Sequence, residues 1–200
     1  MKLITISGLD GSGKTTQLDL IEKELKKKSK VARFHMIDFS IANKILGKRS
    51  KRKKSAGDHK TQASKFAIFL RKVAIIIDVF RFRFYFLMKS RENKLDYLLV
   101  DRYFFDQIVN IKYLDEKIKL RKKSFWQRVV ENQLVEPYLK IYLETKPQKI
   151  MKRDRPAEQG EKYLETKNKI FDIISKRWKL IKINGNQDIE TIHKKINQLI

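Results

Sequence analysis

Gly8-Leu9-Asp10-Gly11-Ser12-Gly13-Lys14-Thr15 fits the pattern G-x-x-x-x-G-K-[ST], and those residue types at that spacing hold a polyphosphate. Gly8, Gly11 and Gly13 let successive backbone N–H groups turn inward at an anion, and a helix opening at the end of the loop adds its positive dipole end. Lys14 is the residue that reaches the outer phosphates, and Thr15 the one whose hydroxyl goes to Mg²⁺, with Ser12 and Thr16 completing the cradle. Glycines also make plain turns between a strand and a helix. The flanks favour the phosphate loop, because residues 1–7 form an apolar run that reads as a buried strand, while Leu18, Ile21, Glu22 and Leu25 recur at helical spacing.

Two further groups of residues could carry chemistry. Residues 95–100 read as a strand that delivers Asp101-Arg102-Tyr103 at its carboxyl end, the place where open α/β sheets bind ligands. Lys152-Arg153-Asp154-Arg155-Pro156 is a charged stretch broken by a proline. Its arginines are either anion ligands or surface partners of Asp154 and Glu158.

These groups must be positioned by elements of both kinds. A second strand reads over 31–37, and a polar, basic connection follows to about residue 60. From 61 to 89 apolar residues recur at Phe66, Phe69, Leu70, Val73, Ile76, Ile77, Phe80, Phe84 and Leu87, which suits one long helix or two abutting ones, although 81–86 alternates like a strand. The surplus of aromatics there suits a core or a subunit interface. A polar helix over 124–136 stops at Pro137, a fourth strand spans 138–143, and Pro147 opens a helix. A helix carrying Ile170, Ile173 and Ile174 leads to a fifth strand over 180–183, and Asn184-Gly185-Asn186 turns the chain into a last helix from 189 to 200. Strands alternating with helices predict an α/β fold: a parallel five-stranded sheet with helices on both faces, in a single domain over 1–200.

Composition narrows the classes. Forty-two per cent hydrophobic residues in 200 suffice for a full core. Nothing at the start reads as a signal peptide and no apolar stretch reaches the length of a membrane span, so a soluble cytoplasmic protein is expected. With no cysteine, and with His35, His59 and His193 scattered, the only metal expected is Mg²⁺ brought by a nucleotide. The net charge of +24 is mostly diffuse, as in Lys26-Lys27-Lys28. Its one dense block, residues 48–54, reads as a solvated loop, a flap over phosphates or a nucleic-acid contact.

The loop through Thr16-Gln17, the triplet Asp101-Arg102-Tyr103, and the arginine-bearing segment after the fourth strand together resemble the thymidylate kinase family of P-loop kinases. The resemblance runs loosely along almost the whole chain and includes residues 183–186, near which the family holds adenine. It implies a P-loop NTPase-type sheet with a short lid at about 152–162, a basic acceptor-side loop at about 38–60, and transfer of the γ-phosphoryl group of ATP, with Mg²⁺, to a nucleoside monophosphate, dTMP first among them. It also implies a homodimer. On this reading Arg102 holds the acceptor phosphate, Asp101 orients that arginine and the magnesium waters, Asp10 contacts the acceptor's sugar hydroxyl, and Arg81 and Tyr103 lie near the acceptor. Since the loop offers Gly11 where some members place a catalytic arginine, Arg153 and Arg155 become the lid arginines, with Lys152 as a further cation.

The chain departs from the family on the acceptor side. His35-Met36-Ile37-Asp38-Phe39-Ser40 stands where an Arg-Glu-Pro or Phe-Pro motif is usual, Ile77 where an aromatic stacks on thymine, Asp106 for a serine and Asn110 for an aromatic. Phe69, Phe80 or Tyr103 are candidates to replace the lost stacking. Two alternatives therefore accompany the first reading: a P-loop kinase for a nucleoside or other small acceptor, and, less favoured, a nucleotide-dependent module that binds nucleic acid.

Overall fold

Period-two alternation along the strands sends apolar side chains to both faces of one sheet, as a sheet covered on both sides requires. In β1 (Lys2–Gly8) Ile4 and Ile6 join one core and Leu3 the other; in β3 (Tyr97–Asp101) Leu99 faces the first and Leu98 and Val100 the second. The computed structural model describes residues 1–45, 63–92, 94–115, 124–153 and 157–200; the basic run 48–54 and Arg155 lie outside the described residues. With β2 (Val31–His35), β4 (Leu139–Glu144) and β5 (Ile181–Asn184), the sheet has the order β2-β3-β1-β4-β5, every pairing parallel.

Helix α1 (Lys14–Leu25) and the C-terminal helix α8 (Ile189–Asn197) cover the first face, through Leu18, Ile21, Ile192 and Ile196. Asp188 caps α8 by accepting from Thr191 N at 2.8 Å. The other face carries α3 (Lys65–Arg91), α4 (Phe104–Leu114), α5 (Phe125–Gln133) and α7 (Glu161–Arg177), while α6 (Pro147–Met151) adds Ile150. Among the described residues no helix is long and apolar enough to cross a membrane.

One local reading is corrected. The second strand ends at His35, and Met36–Phe39 form a short helix, α2, which turns Met36 into the core. The segment 81–86, for all its strand-like alternation, lies in the long helix expected here: α3 is one helix of 27 residues, capped by Ser64, whose side chain accepts from Ala67 N. Its alternation is explained by two apolar faces. Ile68, Ile75, Val79 and Phe82 point inward, whereas Phe66, Phe69, Val73, Ile77, Phe80, Phe84 and Leu87, most of the residues that announce the helix in the sequence, are exposed.

Phe82 is the hub of the inner face. It is fully buried, and its ring meets those of Phe34, Phe39, Tyr85, Phe86, Tyr103 and Phe104 at centroid distances of 5.2 to 6.4 Å, several of them edge to face. It thereby ties β2 and α2 to the start of α4, which follows directly on Asp101-Arg102-Tyr103. Phe82→Ala should lower the free energy of unfolding by about 3–5 kcal/mol, measured by urea denaturation; a loss below about 1 kcal/mol would show that this cluster does not hold the two layers together.

Candidate active site

The phosphate loop lies between the ends of β1 and α1, and β4 runs close beneath it. A Cβ on Gly8, whose φ is 155°, would fall 2.7 Å from the carbonyl oxygen of Leu143, so the close approach of the two strand ends admits only glycine. Gly13, at φ 99°, caps α1. Lys14 is buried, and its Nζ donates to the carbonyls of Leu9 at 2.6 Å and Gly8 at 2.9 Å. Burial, reinforced by Arg102 and opposed by Asp106, Asp10 and Asp101, brings its ammonium down to about 8.

Asp106 is built into the back of this loop. Its carboxylate accepts from Ser7 Oγ at 2.6 Å and from Gly8 N at 3.3 Å. Burial pushes its carboxyl up, with Lys14 and these bonds resisting. On the front, Thr15 Oγ1 donates to Asp101 Oδ2 at 3.2 Å, and Arg33 Nη2 reaches the same oxygen at 3.5 Å. Asp101 Oδ1 is buried with no hydrogen-bond partner among the described residues. A hydroxyl beside a carboxylate with a spare buried oxygen fits Mg²⁺ or the waters of a magnesium–nucleotide complex.

A cavity of about 640 Å³ opens above the loop, lined by residues 11–17, by Arg102, Leu143, Lys149 and Arg153, and at its far end by residues 187–189 and Ile192. Its volume suits a nucleotide. Ser12 and Thr16 both line it. Arg153 stands over the loop, with Nη1 donating to Gly11 O at 2.5 Å. At the far end Asn186 is held by Lys146 N, which donates to its Oδ1 at 3.0 Å, and by Lys149 Nζ on its carbonyl.

Beside the cavity lies a second group of charges. Arg102 has φ 61°, the left-handed region that a non-glycine residue occupies only at a cost in backbone strain, and this turns its side chain toward the loop. Its Nη1 donates to Asp10 Oδ1 at 2.6 Å. Asp10 Oδ2 accepts from Tyr163 OH at 2.8 Å and from Lys167 Nζ at 3.1 Å, both on α7. Burial pushes the Asp10 carboxyl up, but Lys167, Arg102 and Lys14 outweigh it and hold the group well below the usual carboxylate range.

Not every residue selected from the sequence joins these groups. Tyr103 is not at the site surface: its ring is wholly buried against Phe82, Phe104 and Phe105, and its hydroxyl donates to Val135 O at 2.6 Å. The extended backbone at Tyr103, just before α4, turns the ring into the core while Arg102 faces the loop. Arg81 bonds Asp78 Oδ1 at 2.7 Å and Phe39 O at 3.2 Å, with its guanidinium 4.2 Å over the Phe39 ring. Ile77, Phe69 and Phe80 sit on the exposed face of α3.

Sequence reasoning missed Tyr163, Lys167 and Arg33. The first two carried one signal, a polar pair four residues apart on an amphipathic helix, which marks a shared face and nothing more.

The chain matches the family model "Thymidylate kinase" over residues 6–196. It is 28% identical to a protein named thymidylate kinase from Prochlorococcus marinus strain MIT 9301, covering 100% of this chain and 95% of that one. To its counterpart in strain MIT 9312 it is 27% identical, with the same coverage. Its fold is similar to the crystal structure of thymidylate kinase from Ehrlichia chaffeensis, with TM-score 0.67 and 16% identity, covering 99% of this chain and 97% of that one. For thymidylate kinase from Candida albicans the TM-score is 0.66 and the identity 16%, over 100% and 90% of the two chains. A phosphate loop on the central strand, an arginine next to it at the end of β3 and a match over nearly the full length together mean that this chain belongs to the thymidylate kinase family.

Proposed function

We propose that this protein transfers the γ-phosphoryl group of ATP to a nucleoside monophosphate, with thymidylate the preferred acceptor. The observation that carries the reading is the position of Arg102, which lines the cavity above the phosphate loop and at the same time bonds Asp10 on its other side. One guanidinium thus borders two adjoining sites. A phosphate oxygen of the acceptor attacks the γ-phosphorus as the bond to the bridging oxygen breaks and ADP leaves. Such a reaction needs its two anions brought together and their charge neutralised.

Each residue has a place in that task. Lys14 and the loop amides hold the donor phosphates, and Arg153, with Arg155, closes over them from the lid. Arg102 takes the acceptor phosphate and Asp10 its sugar hydroxyl, with Arg81 farther along the acceptor side. Mg²⁺ would be held by the Thr15 hydroxyl and, through water, by Asp101, and would neutralise charge on the donor phosphates. The substrates are those of the cytoplasm, where this reading places the protein.

A homodimer belongs to the same reading. Phe66, Phe69, Val73, Ile77, Phe80, Phe84 and Leu87 recur at steps of three and four along one exposed face of α3, which is the spacing of a helix-pairing seam. A second copy of α3 is the partner that such a self-complementary stripe fits.

Three outcomes are expected. With ATP and Mg²⁺ and a panel of nucleoside monophosphates and nucleosides, ADP should form fastest with dTMP. Lys14→Ala should lower turnover about a hundredfold or more, and Arg102→Ala should act chiefly through the acceptor. Turnover confined to nucleosides would move the reading to another acceptor, and ADP release with no phosphorylated product would remove it. Second, donor phosphates favour the charged form of Lys14, which in the free protein titrates at about 8. Nucleotide affinity should therefore be flat below that pH and fall by up to about tenfold per unit above it, with proton uptake visible in calorimetry; equal affinity at pH 7 and 9.5 would contradict this. Third, the protein should sediment as a dimer and the Phe80→Glu, Phe84→Glu double variant as a folded monomer; a monomeric wild type would refute the seam.

A further inference from the structure

Neither the phosphate loop nor the arginine segments call for Lys167. It sits on α7 one turn after Tyr163, is only 3% exposed, and sends Nζ to Asp10 Oδ2 at 3.1 Å and to Tyr163 OH at 2.6 Å. A long flexible stem would ordinarily carry its ammonium to water, so burying it is costly without a paired anion. That anion is Asp10, which lies 157 residues away in the chain.

The two oxygens of Asp10 are divided between different partners. Oδ1 faces Arg102, while Oδ2 faces Lys167 and Tyr163. The proposed phosphoryl transfer, on which this inference rests, draws Arg102 to the acceptor phosphate and so frees Oδ1. Without Lys167, Asp10 would then be a largely buried carboxylate facing a phosphate, with Lys14 acting on it but no cation in contact to stop it turning. Lys167 supplies that cation on the oxygen away from the acceptor, and Tyr163 fixes the direction.

We propose that Lys167 is a positioning residue for the acceptor: it anchors Oδ2 of Asp10, so that Oδ1 is presented to the sugar hydroxyl when Arg102 moves to the phosphate. Lys167 acts through Asp10 and touches no reacting atom. Its loss must therefore be felt only by acceptors that carry the hydroxyl.

The test compares kcat/KM for dTMP with that for 3′-deoxythymidine monophosphate, which lacks the hydroxyl, at saturating ATP. Wild type should prefer dTMP by about tenfold or more, the worth of a charge-assisted bond. Lys167→Met should reduce that preference to within about threefold, mainly through the KM for dTMP, with the KM for ATP unchanged. An equal loss on both acceptors would mean a merely structural lysine and overturn the proposal, as would an unchanged preference. Should the single variant fail to fold because Asp10 is left without its cation, the Asp10→Asn, Lys167→Met double variant removes both charges together. It should show the same acceptor preference as Asp10→Asn alone, and a further drop would show that Lys167 acts independently of Asp10. Wild-type protein that phosphorylates neither acceptor would overturn this inference together with the parent reading, an outcome distinct from active wild type with an unaffected variant.

Discussion

The parallel pairing of β1 between β3 and β4 is the constraint on which the rest of the molecule depends. It puts three carboxyl ends side by side: Ile6 pairs with Asp101, and Gly8 with Leu143. One strand end opens the phosphate loop, its neighbour supplies Asp101 and Arg102, and the third leads through α6 to Arg153. Because strands of a parallel sheet all point one way, groups far apart in sequence arrive at the same edge. The closeness of β4 is also what makes Gly8 obligatory, since a side chain there would strike Leu143.

Charge is balanced within this edge. Asp10, Asp101 and Asp106 stand among Lys14, Arg102 and Lys167, with Arg33 shared among Asp101, Asp19 and Glu22. Burial weakens the charged form of Asp10, Asp106, Lys14, Arg33, Arg102 and Lys167, and their neighbours restore it to different degrees. Asp10, with two cations in contact, stays firmly ionised. Lys14, bonded to the backbone carbonyls of Gly8 and Leu9, is brought by burial down to about 8. A site of this kind leaves the Asp10 carboxylate fixed between its cations and the Lys14 ammonium ready to respond to an incoming anion.

Much of this was legible in the chain. The strand and helix order, the loop and the triplet after the third strand all come from contiguous residues whose periodicity or spacing has one main physical explanation. At α3 the expected long helix is present, although its two apolar faces imitate the alternation of a strand over 81–86. The reading failed at Tyr103, whose neighbour in the triplet faces the loop while its own ring enters the core. Adjacent residues in extended backbone point to opposite sides, and only the packing of Phe82, Phe104 and Phe105 says which side is the core.

The sequence by itself determined the donor chemistry, because a phosphate loop is a local object: its glycines, lysine and threonine act within eight consecutive residues. The tertiary structure decided what surrounds Asp10. Its bonds to Arg102, Tyr163 and Lys167 span 92, 153 and 157 residues, and no pattern along a chain encodes a meeting of side chains from separate elements. That meeting follows from how α7 packs against the sheet edge, where burial makes an unpaired charge too costly to leave alone.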